Sequence, residues 1–173
     1  MTATEPLNIG QILTAQARLQ PDRIGARDLE RAMTFRQWNT RACRLANALI
    51  GVGLNKGDRV AVLAYNRVEW AEIFAAAAKA GVIAVPINFR LTGREAQYII
   101  ENSGASAVLA EDVLAGTIEA VRDELSISAD RFILIGGGKA GGEWRGYEEF
   151  LAAASDREPD VTVNPDDTWC LMY

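Results

Sequence analysis

Four short apolar runs constrain this chain more than any other feature: RVAVLAY at 59–65, VIAVP at 82–86, SAVLA at 106–110 and RFILI at 131–135. Each is continuous, where a strand with one wet face would alternate. That is the pattern of parallel strands covered on both sides. Between the runs lie stretches with helical periodicity. Parallel neighbours need crossover connections, and helices in those crossovers cover the two faces of the sheet. The expected fold is therefore α/β: a mainly parallel sheet flanked by helices on both faces, with a small N-terminal helix and a β-hairpin ahead of it.

Local signals place the other elements. Asn8 is expected to cap a helix running to about Leu19, with Pro21 as its stop. IGARDLERAMTF at 24–35 has a short polar centre between apolar flanks and predicts the hairpin. Thr34 with Gln37, and Thr92 with Glu95, fit the capping box, in which cap and third residue each satisfy a backbone N–H of the other. Met33 and Trp38 occupy the hydrophobic-staple positions. Trp38, Ala42, Leu45, Ala46 and Leu49 share one helical stripe, and Gly51 or Gly53 supplies the exit. Asn66 with Glu69 is read as the start of VEWAEIFAAAAKAG. Asp112 is read as the cap of a helix whose Leu114, Ile118, Val121 and Leu125 share a face. GYEEFLAAAS at 146–155 is a last short helix. DREPDVTVNPDD at 156–167 reads as a polar linker, and TWCLMY at 168–173 as the start of a further buried strand.

At 173 residues and 49% hydrophobic content, the chain suits one domain with a real core. The net charge of −5 argues against a nucleic-acid partner, which calls for a dense basic patch. No apolar run approaches the ~20 residues of a membrane span. Residues 1–22 lack the basic start and apolar centre of a signal peptide. Cys43 and Cys170 are far apart and outside any CxxC motif, so a reducing, cytoplasmic setting is expected. Histidine is absent, which excludes histidine triads and histidine metal sites within this chain.

Candidate chemistry is sparse. GGGKAGG at 136–142 follows a strand and holds Lys139, but no Ser or Thr follows the lysine, so a flexible turn is preferred over a phosphate loop. GVGLNKGD at 51–58 lies between a helix and a strand, the reverse of the order a dinucleotide fingerprint needs. PINFRL at 86–91 lies just beyond a strand end, where open parallel sheets bind ligands. There Arg90 is read either as a ligand for phosphate or carboxylate or as a solvated loop residue, and Asn88 as a turn former. Trp38 and Trp70 are assigned to the core. Glu69, Glu72, Glu148 and Glu149 are assigned to solvated helix faces, with no acid/base dyad among them.

The stretches GVGLNKGDRVAVLAYN, AGVIAVPINFRLTGREAQYII and SGASAVL, in this order and spacing, resemble the N-terminal region of the adenylate-forming ligases (the AMP-binding superfamily, which includes the acyl-CoA synthetases). The resemblance covers nearly the whole chain and implies several expectations. Residues 1–155 would be the N-terminal α/β subdomain of a larger ligase, and 156–173 a linker and first strand leading to an ATP phosphate loop beyond Tyr173. The parent would activate a carboxylic acid as its acyl-adenylate and transfer it to coenzyme A, using ATP, Mg2+ and coenzyme A. The resemblance places no catalytic or metal-binding residue within the chain, so the 173 residues alone are expected to be inactive and to bind no cofactor tightly. Arg90 matches a position that approaches the nucleotide end of coenzyme A, with Asn88 shaping its loop, and Lys139 matches no family motif. Fatty, aromatic and other acids remain open as substrates. An apolar face left by a missing neighbour would drive self-association. The alternative from the residues alone is a complete, non-catalytic α/β module for small-ligand binding or interaction.

Overall fold

The computed structural model describes residues 7–138 and 143–173. Helix α1 spans Ile9–Leu19, and the hairpin strands β1 and β2 span Ile24–Arg27 and Ala32–Thr34. Then follow α2 (Phe35–Gly51), β3 (Arg59–Leu63), α3 (Glu69–Ala80), β4 (Ile83–Ile87), α4 (Gly93–Ser103) and β5 (Ala105–Glu111). A short helix α5 (Ala115–Glu119) lies between 3-10 turns at Asp112–Leu114 and Arg122–Glu124. A third 3-10 turn, Ala129–Arg131, leads into β6 (Phe132–Ile135), and β7 (Arg145–Gly146) and α6 (Tyr147–Ala152) complete the set.

Strands β3 to β7 form one sheet, all pairs parallel, in the order β4-β3-β5-β6-β7. Alternate residues of each apolar run point to opposite faces, which explains why the runs are continuous. Val60, Val62, Leu109, Ile133 and Ile135 pack with α2, α3 and α6. Ala61, Leu63, Val85, Val108 and Phe132 pack with α4 and the α5 segment. All of these strand residues are buried. Leu13 of α1 joins Ala42 and Ala75, with Phe35 and Trp38 against them, in a third cluster behind α2 and α3. Among the described residues, no helix is long and apolar enough to cross a membrane.

The local signals hold where they are local. Reciprocal capping boxes form at Asn8/Gln11, Thr34/Gln37 and Thr92/Glu95. Gly53, at φ 85°, takes the left-handed exit after α2. Leu114, Ile118, Val121 and Leu125 are all buried as expected. Trp38 and Trp70 are only partly buried, each packed on a core cluster and each donating its indole N–H to a backbone carbonyl.

Four readings need correction. Asn66 does not cap α3: its N-cap is Val68, without a side-chain cap, and the Val68 N–H is instead taken by Asp28 of the hairpin turn at 2.9 Å. Asp112 opens a 3-10 turn rather than a long helix, because one of its oxygens is drawn to the Gly138 N–H at 2.6 Å. Glu69 and Glu72 are not solvated; they are 2% and 1% exposed and are held by arginines from other elements. Glu148 and Glu149 do lie on an exposed face. The fifth strand, β7, has no sequence signal, since its two residues pair with β6 only through backbone.

The fourth correction concerns TWCLMY, which lies along the outer edge of β4 but makes a single parallel bridge, Ala84 to Cys170. Ala84 N–H donates to Trp169 O at 3.0 Å, and Leu171 N–H donates to Ala84 O at 2.9 Å. Trp169 packs with Phe74 on one face of the sheet, its ring centroid 5.0 Å away, while Leu171 joins the core on the other face. Residues two apart in a strand point the same way. This segment breaks that period, so its pairing stops at one bridge.

The polar stretch 156–167 runs as a strap across α1, α2 and α3. Asn47 of α2 donates to Ser155 O and Arg157 O at 2.9 and 2.8 Å. Glu158 lies 2.7 Å from the buried Lys79 ammonium of α3 and also accepts from Thr14 and Asn39. Asn8 donates to Val163 O at 2.8 Å, and Lys56 pairs with Asp167 at 2.5 Å.

Candidate functional site

The carboxyl ends of β3, β4, β5 and β6 form one rim. In open α/β sheets ligands bind outside such ends, favoured where the strand order reverses. Here β4 lies to one side of β3 and β5 to the other, so the reversal falls between β3 and β5.

That crevice is filled by paired charge. Arg67, just past β3, donates to the two Glu69 oxygens at 2.7 and 3.0 Å. Its other amino group lies 2.9 Å from Glu111, the last residue of β5. The second Glu111 oxygen accepts the Tyr65 N–H at 2.7 Å. Arg31 of the hairpin turn donates to both Glu69 oxygens at 2.8 and 2.7 Å. Burial pushes the Glu69 carboxyl up, but Arg67 and Arg31 outweigh it and hold it below the usual range. Burial likewise opposes the charge on Arg67, and Glu69 overcomes it, leaving that guanidinium above its ordinary value. A cleft of about 230 Å³ opens here between the hairpin turn and Tyr65–Arg67. Both arginines are already matched by carboxylates, so the crevice interlocks the hairpin, α3 and β5 instead of offering a free cation.

The end of β4, one strand away, is different. Asn88 Oδ1 accepts the Arg90 N–H at 3.0 Å, and the Asn88 carbonyl accepts the Leu91 N–H at 3.1 Å. This Asx turn carries Phe89 and Arg90 along the rim. The Phe89 ring lies 4.7 Å from that of Tyr65, tilted by 56°. The Arg90 guanidinium lies 5.5 Å from the Phe89 centroid. Arg90 is exposed, and among the described residues no carboxylate pairs with it. The two residues singled out in the sequence, Asn88 and Arg90, thus meet in one turn, the first as scaffold and the second as an uncommitted cation.

The glycine run after β6 behaves otherwise. Gly136 adopts φ 116°, and a side chain there would meet the Asp112 carboxylate. That carboxylate occupies the Gly138 N–H, where a phosphate would meet like charge. Lys139 lies outside the described residues. Among the described residues, no group of three His, Cys, Asp or Glu suits a metal ion. Arg90, by contrast, presents an exposed guanidinium at a strand end, a group suited to an anionic ligand.

Sequence reasoning missed Arg67, Glu111 and Arg31. Arg67 and Glu111 lie at the ends of two runs read as strands, but their meeting depends on β3 and β5 being neighbours, which no local signal states.

Residues 13–173 match the family described as AMP-binding enzyme. The long-chain-fatty-acid–CoA ligase FadD13 of Mycobacterium tuberculosis is 36% identical over 169 residues, covering 96% of this chain and 32% of the relative. A feruloyl-CoA synthase of Amycolatopsis is 33% identical over 165 residues, covering 95% and 30%. Among solved structures, the N-terminal domain of FACL13 from Mycobacterium tuberculosis superposes with a TM-score of 0.80 at 33% identity, over 97% of this chain and 42% of that one. The chain thus spans about a third of the length of these curated relatives. Its sheet, its helical layers and this match over all but its first twelve residues make it a member of the AMP-binding enzyme family.

Proposed function

We propose that the chain is the N-terminal part of an ATP-dependent acyl-CoA ligase, an acid–thiol ligase of the cytoplasm. The whole protein joins a carboxylic acid to AMP with release of pyrophosphate, then passes the acyl group to the thiol of coenzyme A. Residues 1–155 are the α/β subdomain, and 156–173 are a strap and edge segment leading to the ATP-binding portion. The observation that carries this reading is the family match over 13–173 together with relatives about three times as long. ATP and Mg2+ are assigned to residues beyond this chain. Arg90, presented by the Asn88 turn, is assigned to a phosphate at the nucleotide end of coenzyme A. Its free guanidinium at a strand end supports that assignment. The acid is a fatty or aromatic carboxylate, in line with the names of the relatives.

The 173-residue chain is expected to release no pyrophosphate with any carboxylate in a panel of fatty and aromatic acids, while the product of the complete gene does. Turnover by the shorter chain would refute the assignment of the catalytic groups to the rest of the protein.

The 173-residue chain is also expected to self-associate. An open groove of about 510 Å³ between Pro86, Leu91, Tyr98, Ile99 and Tyr173 leaves apolar surface exposed beside the β4 edge. Sedimentation velocity over a hundredfold dilution is expected to show a mass that falls with concentration. A constant monomer mass would remove the proposal.

A further inference from the structure

Arg90 lacks a carboxylate to fix its direction, yet a phosphate ligand needs its guanidinium held in one place. An aromatic surface lies beside it. Phe89 sits beneath the guanidinium at 5.5 Å, within the range of a cation–π contact. Phe89 in turn rests on Tyr65 from the neighbouring strand end, with centroids 4.7 Å apart. Tyr65 is not free to drift: its backbone N–H is bound by Glu111, and Glu111 is bound by Arg67. A line of contacts therefore runs from the interlocked crevice to Arg90, through two rings that are each more than one-third exposed.

We propose that Phe89 and Tyr65 are positioning residues: the pair forms a rest that aims Arg90 at a phosphate of coenzyme A. The inference builds on the assignment of Arg90 made above. The rings act through the guanidinium and do not themselves hold the ligand. The quadrupole of the Phe89 face attracts the cation, and Tyr65 keeps that face from turning.

The test uses the full-length ligase and its KM for coenzyme A, with the KM for ATP as reference. Arg90→Gln is expected to raise the KM for coenzyme A by about tenfold or more, as loss of a charge-assisted hydrogen bond does. Phe89→Leu, which keeps an apolar side chain but removes the quadrupole, is expected to raise it by about two- to fivefold, and Phe89→Trp to leave it near the parent value. In the Arg90→Gln background, Phe89→Leu is expected to add nothing. An equal rise in both backgrounds would mean that the ring touches the ligand directly, and no rise in either would mean that it does nothing; each overturns the proposal. A second measurement separates this from the coenzyme A assignment. In the 173-residue chain, the Arg90 side-chain N–H resonance is expected to carry a ring-current shift that vanishes in Phe89→Leu. With that shift present and the Arg90→Gln KM unchanged, the rest exists but the coenzyme A assignment fails. With the shift absent, the rest itself is refuted.

Discussion

Arg41→Met is expected to lower the stability of the chain by about 3 kcal/mol at neutral pH, read as a fall in the urea midpoint at constant m-value. Glu72 of α3 is 1% exposed. Arg41 of α2 bonds both its oxygens at 2.6 and 3.1 Å, and the Tyr147 hydroxyl of α6 donates to it at 2.7 Å. The three helices that cover one face of the sheet are therefore joined at a single carboxylate. Methionine keeps the packing of the arginine stem and removes the charge with its hydrogen bonds to Glu72 and to the exposed Glu148, so the loss reports chiefly a buried carboxylate left without its cation.

The pH dependence gives this loss a signature. In the parent, burial already pushes the Glu72 carboxyl above its ordinary value, against the pull of Arg41 and Tyr147. Without Arg41 the rise is larger. A carboxyl raised in the folded state binds its proton more tightly folded than unfolded, so its penalty is present at high pH and is relieved as pH falls through the raised value. The gap between variant and parent is thus expected to narrow on acidification. A gap that stays constant down to the ordinary carboxyl range would show that packing, not charge, was lost.

Glu158→Ala is expected to cost about 2 kcal/mol, less than a fully buried pair because the glutamate side chain is 41% exposed while that of Lys79 is 2% exposed. The alanine leaves the ammonium with Thr14 Oγ1 at 2.7 Å and a longer contact of 3.4 Å to Gly10 O. It also removes the anchor that holds the strap to α1 and α3. Adding Lys79→Met is expected to restore most of the loss, since an apolar pair in that place carries no desolvation cost. Failure of the double variant to recover would show that the strap contacts, rather than the stranded ammonium, dominate. Hydrogen exchange across 155–165 is expected to quicken in the single variant and to slow again in the double one.

What could be read from the chain beforehand follows the range of each interaction. The capping boxes at Thr34 and Thr92 join residues three apart, and the continuous runs at 59–65 and 131–135 state their own burial; both were legible. The turn at Asn88 was legible for a similar reason, because a strand end and a turn former lie within a few residues of one another. Glu72 was not: its partners Arg41 and Tyr147 lie 31 and 75 positions away, and an acid on a helix looks the same whether its neighbour is water or a guanidinium. The start of α3 failed on similar grounds, since the hairpin turn supplies the Asp28 oxygen in place of the local Asn66. Residues 168–173 show a third kind of failure. Their apolar character was read correctly, but composition does not reveal that Trp169 and Leu171 diverge to opposite faces.

The two margins of the pleated layer are consequently unequal. Among the described residues, beyond β6 lies only the two-residue β7, too brief to template a neighbour. Along β4, one tooth of a zipper is already engaged at Ala84, so the entropic toll of first contact has been met there. Growth of the layer is thereby directional: backbone that extends the Cys170 bridge lengthens an existing seam, whereas the opposite flank would have to start a new one.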